Sequence, residues 1–151
     1  MEWVRDRFTV SSDPKRVDLA LVSTFLASTY WAQGIPASTV QKSLDGSMCF
    51  SLLEGEQQIG FARVITDRAT IAYLADVFVL PQYRAQGLGT WLVECVLKHP
   101  ELEGLRRWVL VTKDAHELYR KFGFRPLARP EGFMEIHNPD AYRDAEQGSP
   151  K

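Results

Sequence analysis

Three features of this 151-residue chain could do chemistry. They are the run Arg84-Ala85-Gln86-Gly87-Leu88-Gly89, an acid at Asp76 inside an apolar stretch, and a phenol at Tyr119. The run lies where a strand pattern gives way to a helix pattern. Its glycines permit unusual φ and let a ligand approach the backbone closely. The first N–H groups of the following helix have no partners inside it, and they lie at the positive end of its dipole. Arg84 adds a fork of donors suited to phosphate oxygens. The chemistry these parts suit is anion binding, most naturally of a phosphate.

Two familiar nucleotide loops fail on spacing. A dinucleotide fingerprint needs a third glycine three residues after Gly89, where Leu92 stands, and a Walker loop needs a lysine after its glycine, where Thr90 stands. Asp76 sits between Ala75 and Val77, a costly place for a carboxylate. By strand alternation it shares a face with Leu74, Phe78 and Leu80. It reads either as a functional acid or as a structural carboxylate holding an arginine such as Arg63. Tyr30, Trp31 and Gln33 lie between two predicted helices. The two aromatics could cover an amine or aromatic ligand, by cation–π contact if it is charged, or they could plug the core. His116 reads as a surface histidine in the first turn of a late helix, with a ligand contact as the alternative. Cys49 and Cys95 have no metal-type spacing and sit in apolar runs, which fits two small core residues.

The elements that must position these residues follow from periodicity. A short strand is expected near Arg7–Val10, and Asp13-Pro14 should start a helix reaching Ser28. Pro36 opens a shorter helix to about Leu44, and Asp45-Gly46 ends it. Ser47–Glu54, Gln58–Thr66 and Thr70–Leu80 read as three strands of a meander. Gly87–Lys98 has helical spacing, and Leu105–Thr112 is a strand that the intervening helix should bring parallel to Thr70–Leu80. Asp114-Ala115-His116-Glu117 has capping-box spacing before a helix ended by Gly123. Phe124–Ala128 and Phe133–His137 read as two final strands. The polar, breaker-rich stretch after Asn138 reads as a disordered tail.

Composition sets wide bounds. The 45% hydrophobic and 25% charged fractions are those of an ordinary globular domain, and the length suits one domain. A net charge of −1 gives no footprint for nucleic acid or an anionic membrane. No segment approaches the roughly 20 apolar residues of a membrane span. Taken together with the unpaired cysteines, this predicts a reducing, cytoplasmic setting, with neither nucleic acid nor membrane as partner.

The strand-to-helix stretch resembles the GNAT superfamily of N-acetyltransferases. The resemblance rests on Val79-Leu80-Pro81-Gln82-Tyr83-Arg84-Ala85-Gln86-Gly87-Leu88-Gly89, which fits Gln/Arg-x-x-Gly-x-Gly/Ala after an apolar-x-Pro-x-Tyr-Arg run. A second piece, Ala115-x-x-Leu118-Tyr119-x-Lys121-x-Gly123-Phe124, occurs in the right order. The motifs cover about Ser47 to Ala128. The resemblance implies a GNAT-like acyl-CoA N-acyltransferase fold: one α/β (α+β) domain over residues 1–138, about six to seven strands and four helices, antiparallel early with a central parallel pair.

It further implies acetyl transfer from acetyl-CoA, with no metal, to a primary amine of a small molecule or peptide. The turn Arg84–Gly89, with Thr90 beyond it, would hold the coenzyme diphosphate. Val77, Phe78 and Val79 would pair with its pantetheine arm and position the acetyl carbonyl. Tyr119 would donate a proton to the departing thiolate, Asp76 would serve as base or amine ligand, and Tyr30, Trp31 and Gln33 would border the acceptor. Thr112 stands where many members carry an asparagine on the pantetheine arm, and His116 lies near the implied coenzyme site. The resemblance also admits a homodimer. A non-catalytic acyl-CoA-binding regulator or sensor is the alternative from another class.

Overall fold

The computed structural model describes residues 1–146 and divides into two compact units, Met1–Val111 and the part from Thr112. The first unit is built on one six-stranded sheet whose order in space equals its order in sequence. Its strands are β1 (Glu2–Arg5), β2 (Phe8–Ser11), β3 (Met48–Glu54), β4 (Gln57–Thr66), β5 (Ile71–Val79) and β6 (Arg107–Val109). The first five run antiparallel, and β6 lies parallel to β5 with Ile71 opposite Arg107 and Tyr73 opposite Val109. Three helices accompany the sheet: α1 (Leu19–Ala27), α2 (Ala37–Asp45) and α3 (Leu88–Leu97). The mixed α/β architecture with one parallel pair agrees with the expectation.

The core of this unit is where the patterns put it. Phe50, Leu52, Ile59, Phe61 and Val64 from the central strands are fully buried, as are Leu92, Val93 and Val96 on α3. Removing such apolar area from water is the main stabilising contribution here. β5 is preceded by a turn fastened by Asp67. Its carboxylate accepts from the N–H groups of Ala69, Thr70 and Ile71 and from the Thr70 hydroxyl, and these bonds hold its pKa well below the usual carboxylate range.

Several local expectations are corrected. The strand near Arg7–Val10 is the second arm of a hairpin, whose first arm, Glu2–Arg5, mixes charged and apolar residues and sits at the sheet edge. The first helix begins at Leu19, capped by Asp18, which accepts the Leu21 N–H; Asp13 caps only a single 3₁₀ turn at Pro14–Arg16. The alternation read along Thr70–Leu80 is interrupted at Asp76, as described below.

In the second unit, α4 (His116–Arg120) starts one residue later than the capping box requires. Ala115 takes the cap position without a side-chain bond, and Thr112 Oγ1 accepts the Ala115 N–H at 3.0 Å instead. Phe124–Ala128 and Phe133–His137 are not strands. Pro126 interrupts the first, a 3₁₀ turn at Pro130–Gly132 separates the two, and Met134 and Ile136 are exposed. A short helix, α5 (Ala141–Glu146), occupies part of the stretch read as a disordered tail, which brings the α-helices among the described residues to five, where four were expected; residues 147–151 lie outside the described residues. Among the described residues no helix is long and apolar enough to cross a membrane.

Candidate active site

The site begins where β5 and β6 part. Their pairing stops at Tyr73 and Val109, while β5 runs on to Val79, so beyond Tyr73 that edge of β5 has no partner strand among the described residues. The Leu80 N–H donates to the Ile59 carbonyl at 2.8 Å, toward β4, and Gly60 pairs with Val79. Backbone groups alternate sides along a strand. Val79 and Val77 therefore turn their main-chain groups to the open edge, where an extended ligand could add as a further strand.

β5 is also bent. Phe61 pairs with Phe78 but Arg63 pairs with Ala75, so Asp76 and Val77 together face the single residue Ala62. This is a β-bulge with its first residue, Asp76, in the left-handed region at φ 55°. Asp tolerates this region better than most residues because its short side chain finds local partners. Here the partners come from elsewhere. Asp76 Oδ2 accepts from Arg63 Nε at 2.7 Å and Oδ1 accepts from the Trp31 indole N–H at 2.9 Å. Arg63 also donates from Nη1 to the Ser47 hydroxyl at 3.1 Å. The ion-paired side chains are only 15% and 10% exposed. Removing one partner from such a pair leaves a buried charge, at a cost of about 3–5 kcal/mol.

The turn after β5 is held from two directions. Arg84 Nε donates to the Val79 carbonyl at 2.9 Å, which uses one of five guanidinium donors. Ala85 adopts φ 64°, and Gly87 takes the N-cap of α3 at φ 76°. Among the described residues no side chain caps α3, so Leu88, Gly89 and Thr90 present their first-turn N–H groups toward the space before the helix. Gln86 bonds back to the Tyr83 carbonyl. These parts fit an anion of the size of a diphosphate: uncapped amides, a helix dipole and an arginine at the mouth of a glycine turn.

Sequence reasoning missed two supporting arginines, both on the N-terminal hairpin. Arg5 donates to the Gly87 carbonyl at 3.4 Å, and its guanidinium carbon lies 5.0 Å from the Trp91 ring centroid on α3. Arg7 pairs with Glu54 at 2.6 Å, and Glu54 accepts the Tyr83 hydroxyl at 2.8 Å. These bonds hold the Glu54 carboxyl below its ordinary pKa, that of Tyr83 more than that of Arg7. A signal existed for Tyr83, which lies within the Pro-x-Tyr-Arg run. None existed for Arg5, because β1 was not foreseen; Arg7 opens the expected strand, but nothing in the sequence points to its pairing with Glu54.

Of the other candidates, Tyr30 and Trp31 are exposed aromatics whose rings meet edge to face with centroids 5.1 Å apart. Gln33 is exposed in the same connection. Phe25, near the end of α1, stacks on Phe78 at 4.0 Å. Burial pushes the Cys49 thiol up to about 11 and the Cys95 thiol up to about 12, so neither is an available thiolate near neutral pH. Within the second unit, Tyr119 is buried on α4 and meets Phe124 edge to face at 5.8 Å. His116 is exposed at the first residue of α4, and Thr112 is committed to the Ala115 N–H.

Comparison with known proteins identifies the class. Residues 45–126 match the acetyltransferase (GNAT) domain family. A solved protein of the GNAT family from Xanthomonas campestris pv. campestris is 45% identical, with a TM-score of 0.87 over 89% of this chain and 96% of that one. A Gibberella zeae protein, named as a candidate acetyltransferase, is 31% identical over 142 residues, covering 79% of each chain. An Elizabethkingia anophelis GNAT acetyltransferase, solved with acetyl-CoA bound, shares the fold at a TM-score of 0.64 and 15% identity, over 89% of this chain and 91% of that one. The chain belongs to the GNAT acetyltransferase family.

Proposed function

We propose that this protein transfers the acetyl group of acetyl-CoA directly to a primary amine of a small molecule or peptide. The observation that carries the reading is the continuity of the open β5 edge with the uncapped N-terminus of α3, joined by the Arg84–Gly89 turn. The GNAT relative solved with acetyl-CoA bound supports the choice of coenzyme.

In this reading the amides from Gln86 to Thr90 and the Arg84 guanidinium hold the diphosphate. Val77, Phe78 and Val79 align the pantetheine arm along β5. The bulge at Asp76 turns the backbone where an oxyanion needs donors, and such preorganised donors supply much of the rate enhancement in acyl transfer. Acetyl-CoA, when bound, supplies an acetyl thioester, whose C–S bond breaks as the amine nitrogen forms the new C–N bond. Tyr119 holds a proton at its phenolic oxygen for the leaving sulfur, and the proton released by the amine leaves to solvent or a neighbouring base. The support for Tyr119 is its place in the second motif. Neither cysteine offers a nucleophile, which favours direct transfer over an acyl-enzyme.

The test is calorimetry with acetyl-CoA on the wild type and on Arg84→Ala. Binding by the wild type, weakened about tenfold or more in the variant, supports the coenzyme site. Equal binding by both removes Arg84 from it.

A further inference from the structure

The bulge acid has a counter-ion and a second partner before any substrate arrives. Asp76 receives Arg63 on one oxygen and the Trp31 indole N–H on the other. A carboxylate that took the amine's proton would surrender the charge that balances a largely buried arginine, at high cost. The same carboxylate fixes two things that an acceptor site needs. It holds β5 in its left-handed bulge at φ 55°, and it pins an exposed indole from the connection after α1. Phe25 covers Phe78 two residues further along β5, so aromatics from one segment line this part of the strand. Tyr30 extends the surface edge to face. Asp76 and Arg63 cancel in charge, so the pair gives a polycation no net attraction, whereas the rings favour apolar bodies and an adjacent ammonium.

We propose that the Arg63–Asp76–Trp31 chain is a fixed wall of the acceptor site, with Asp76 a positioning residue that clamps the indole and the bulge. This wall takes a primary amine carried on an aromatic or apolar body. The inference rests on the transferase reading above.

The experiment follows thiol release at saturating acetyl-CoA with phenethylamine, spermidine and a lysine peptide as acceptors. It uses the wild type, Asp76→Asn, Asp76→Ala and Trp31→Phe. Phenethylamine is expected to show kcat/KM about tenfold or more above the other two. Asp76→Asn keeps an acceptor for the indole and tolerates the bulge conformation, so its kcat falls by less than about fivefold. Asp76→Ala and Trp31→Phe raise the phenethylamine KM by about fivefold or more, and by more than they lower kcat.

A loss of about 100-fold in kcat for Asp76→Asn would make Asp76 a base and overturn the clamp. Preference for spermidine or the peptide would overturn the wall and leave the transferase reading standing. Thiol release with no amine at all, despite coenzyme binding, would overturn both. Asp76→Ala and Asp76→Asn both take the counter-ion from Arg63, so melting curves establish that each variant folds, and ¹⁵N-indole spectra of the wild type and Asp76→Asn give a second readout. The Trp31 signal, assigned by its loss in Trp31→Phe, should be sharp and displaced from its random-coil position in both. A random-coil signal in the folded wild type would overturn the clamp.

Discussion

The Arg5 guanidinium donates to the carbonyl of Gly87 at 3.4 Å while lying over the ring of Trp91, 5.0 Å from its centroid. One side chain of the N-terminal hairpin thus braces both the left-handed N-cap of α3 and a residue one turn into that helix. It also brings positive charge to a turn read as an anion site. Arg5→Met keeps much of the apolar stem and removes the charge. It is expected to weaken CoA binding by about fivefold, in line with the roughly 1 kcal/mol of an exposed charge contact. Calorimetry reads this directly, and an unchanged Kd would make the brace irrelevant to the coenzyme.

Gly89 separates stability from function. It lies inside α3, and a Cβ there would sit 3.8 Å from Val79 Cγ2, an ordinary contact. Alanine is the better helix former by up to about 1 kcal/mol, so Gly89→Ala should raise the melting temperature. The added methyl intrudes on the amides that face the diphosphate, and CoA affinity should fall about tenfold. Gly87→Ala differs, because φ 76° is strained for alanine by about 1–2 kcal/mol. That variant should lose both stability and affinity. Thermal melts with and without CoA distinguish the two patterns.

Tyr119→Phe removes the phenolic oxygen and keeps the ring that packs edge to face on Phe124. If the phenol delivers the proton to sulfur, kcat should fall by about 100-fold with CoA affinity unchanged. Steady-state kinetics at saturating coenzyme give the answer. An unaltered kcat removes Tyr119 from the acid role.

His99 gives the fold a pH dependence remote from the chemistry. It is buried between Trp3 and Phe50, and its Nδ1 accepts the Glu101 N–H at 3.1 Å. Burial lowers its pKa below the ordinary histidine value. The unfolded chain therefore takes up this proton at a higher pH than the folded one. The stability contribution is complete above about pH 6.5 and is lost as the pH falls through the folded value. Melting curves from pH 8 to pH 5 should decline in the wild type and be flatter in His99→Phe. Parallel declines would assign the loss to other groups.

Much of the strand, turn and helix proposed to hold the coenzyme was legible because it is written locally. A strand, a glycine turn and a helix adjoin in sequence, and periodicity read all three with the arginine between them. The parallel β5–β6 pair followed from the helix that joins those strands. What escaped was either non-local or weakly patterned. β1 is a short edge strand of two apolar residues between two charged ones, with no clean alternation, so Arg5 had no place in the reading. The bulge leaves no mark in composition, since Asp76 looks like any acid in an apolar run. Its partners lie 13 and 45 residues away, at Arg63 and Trp31, of which only the arginine was weighed. Phe124–Ala128 and Phe133–His137 have strand-like residues, but Pro126 interrupts the first, and Pro130 and Gly132 form a 3₁₀ turn between the two.

The central claim is acetyl transfer to an amine, and the direct measurement is amine-dependent release of CoA thiol from acetyl-CoA, with mass spectrometry of the acceptor. The account predicts thiol release in equal amount to acetylated amine, in the absence of added metal. Tight acetyl-CoA binding with neither thiol release nor acetylated product, across primary amines of every class, would contradict it and mark a coenzyme-binding module instead.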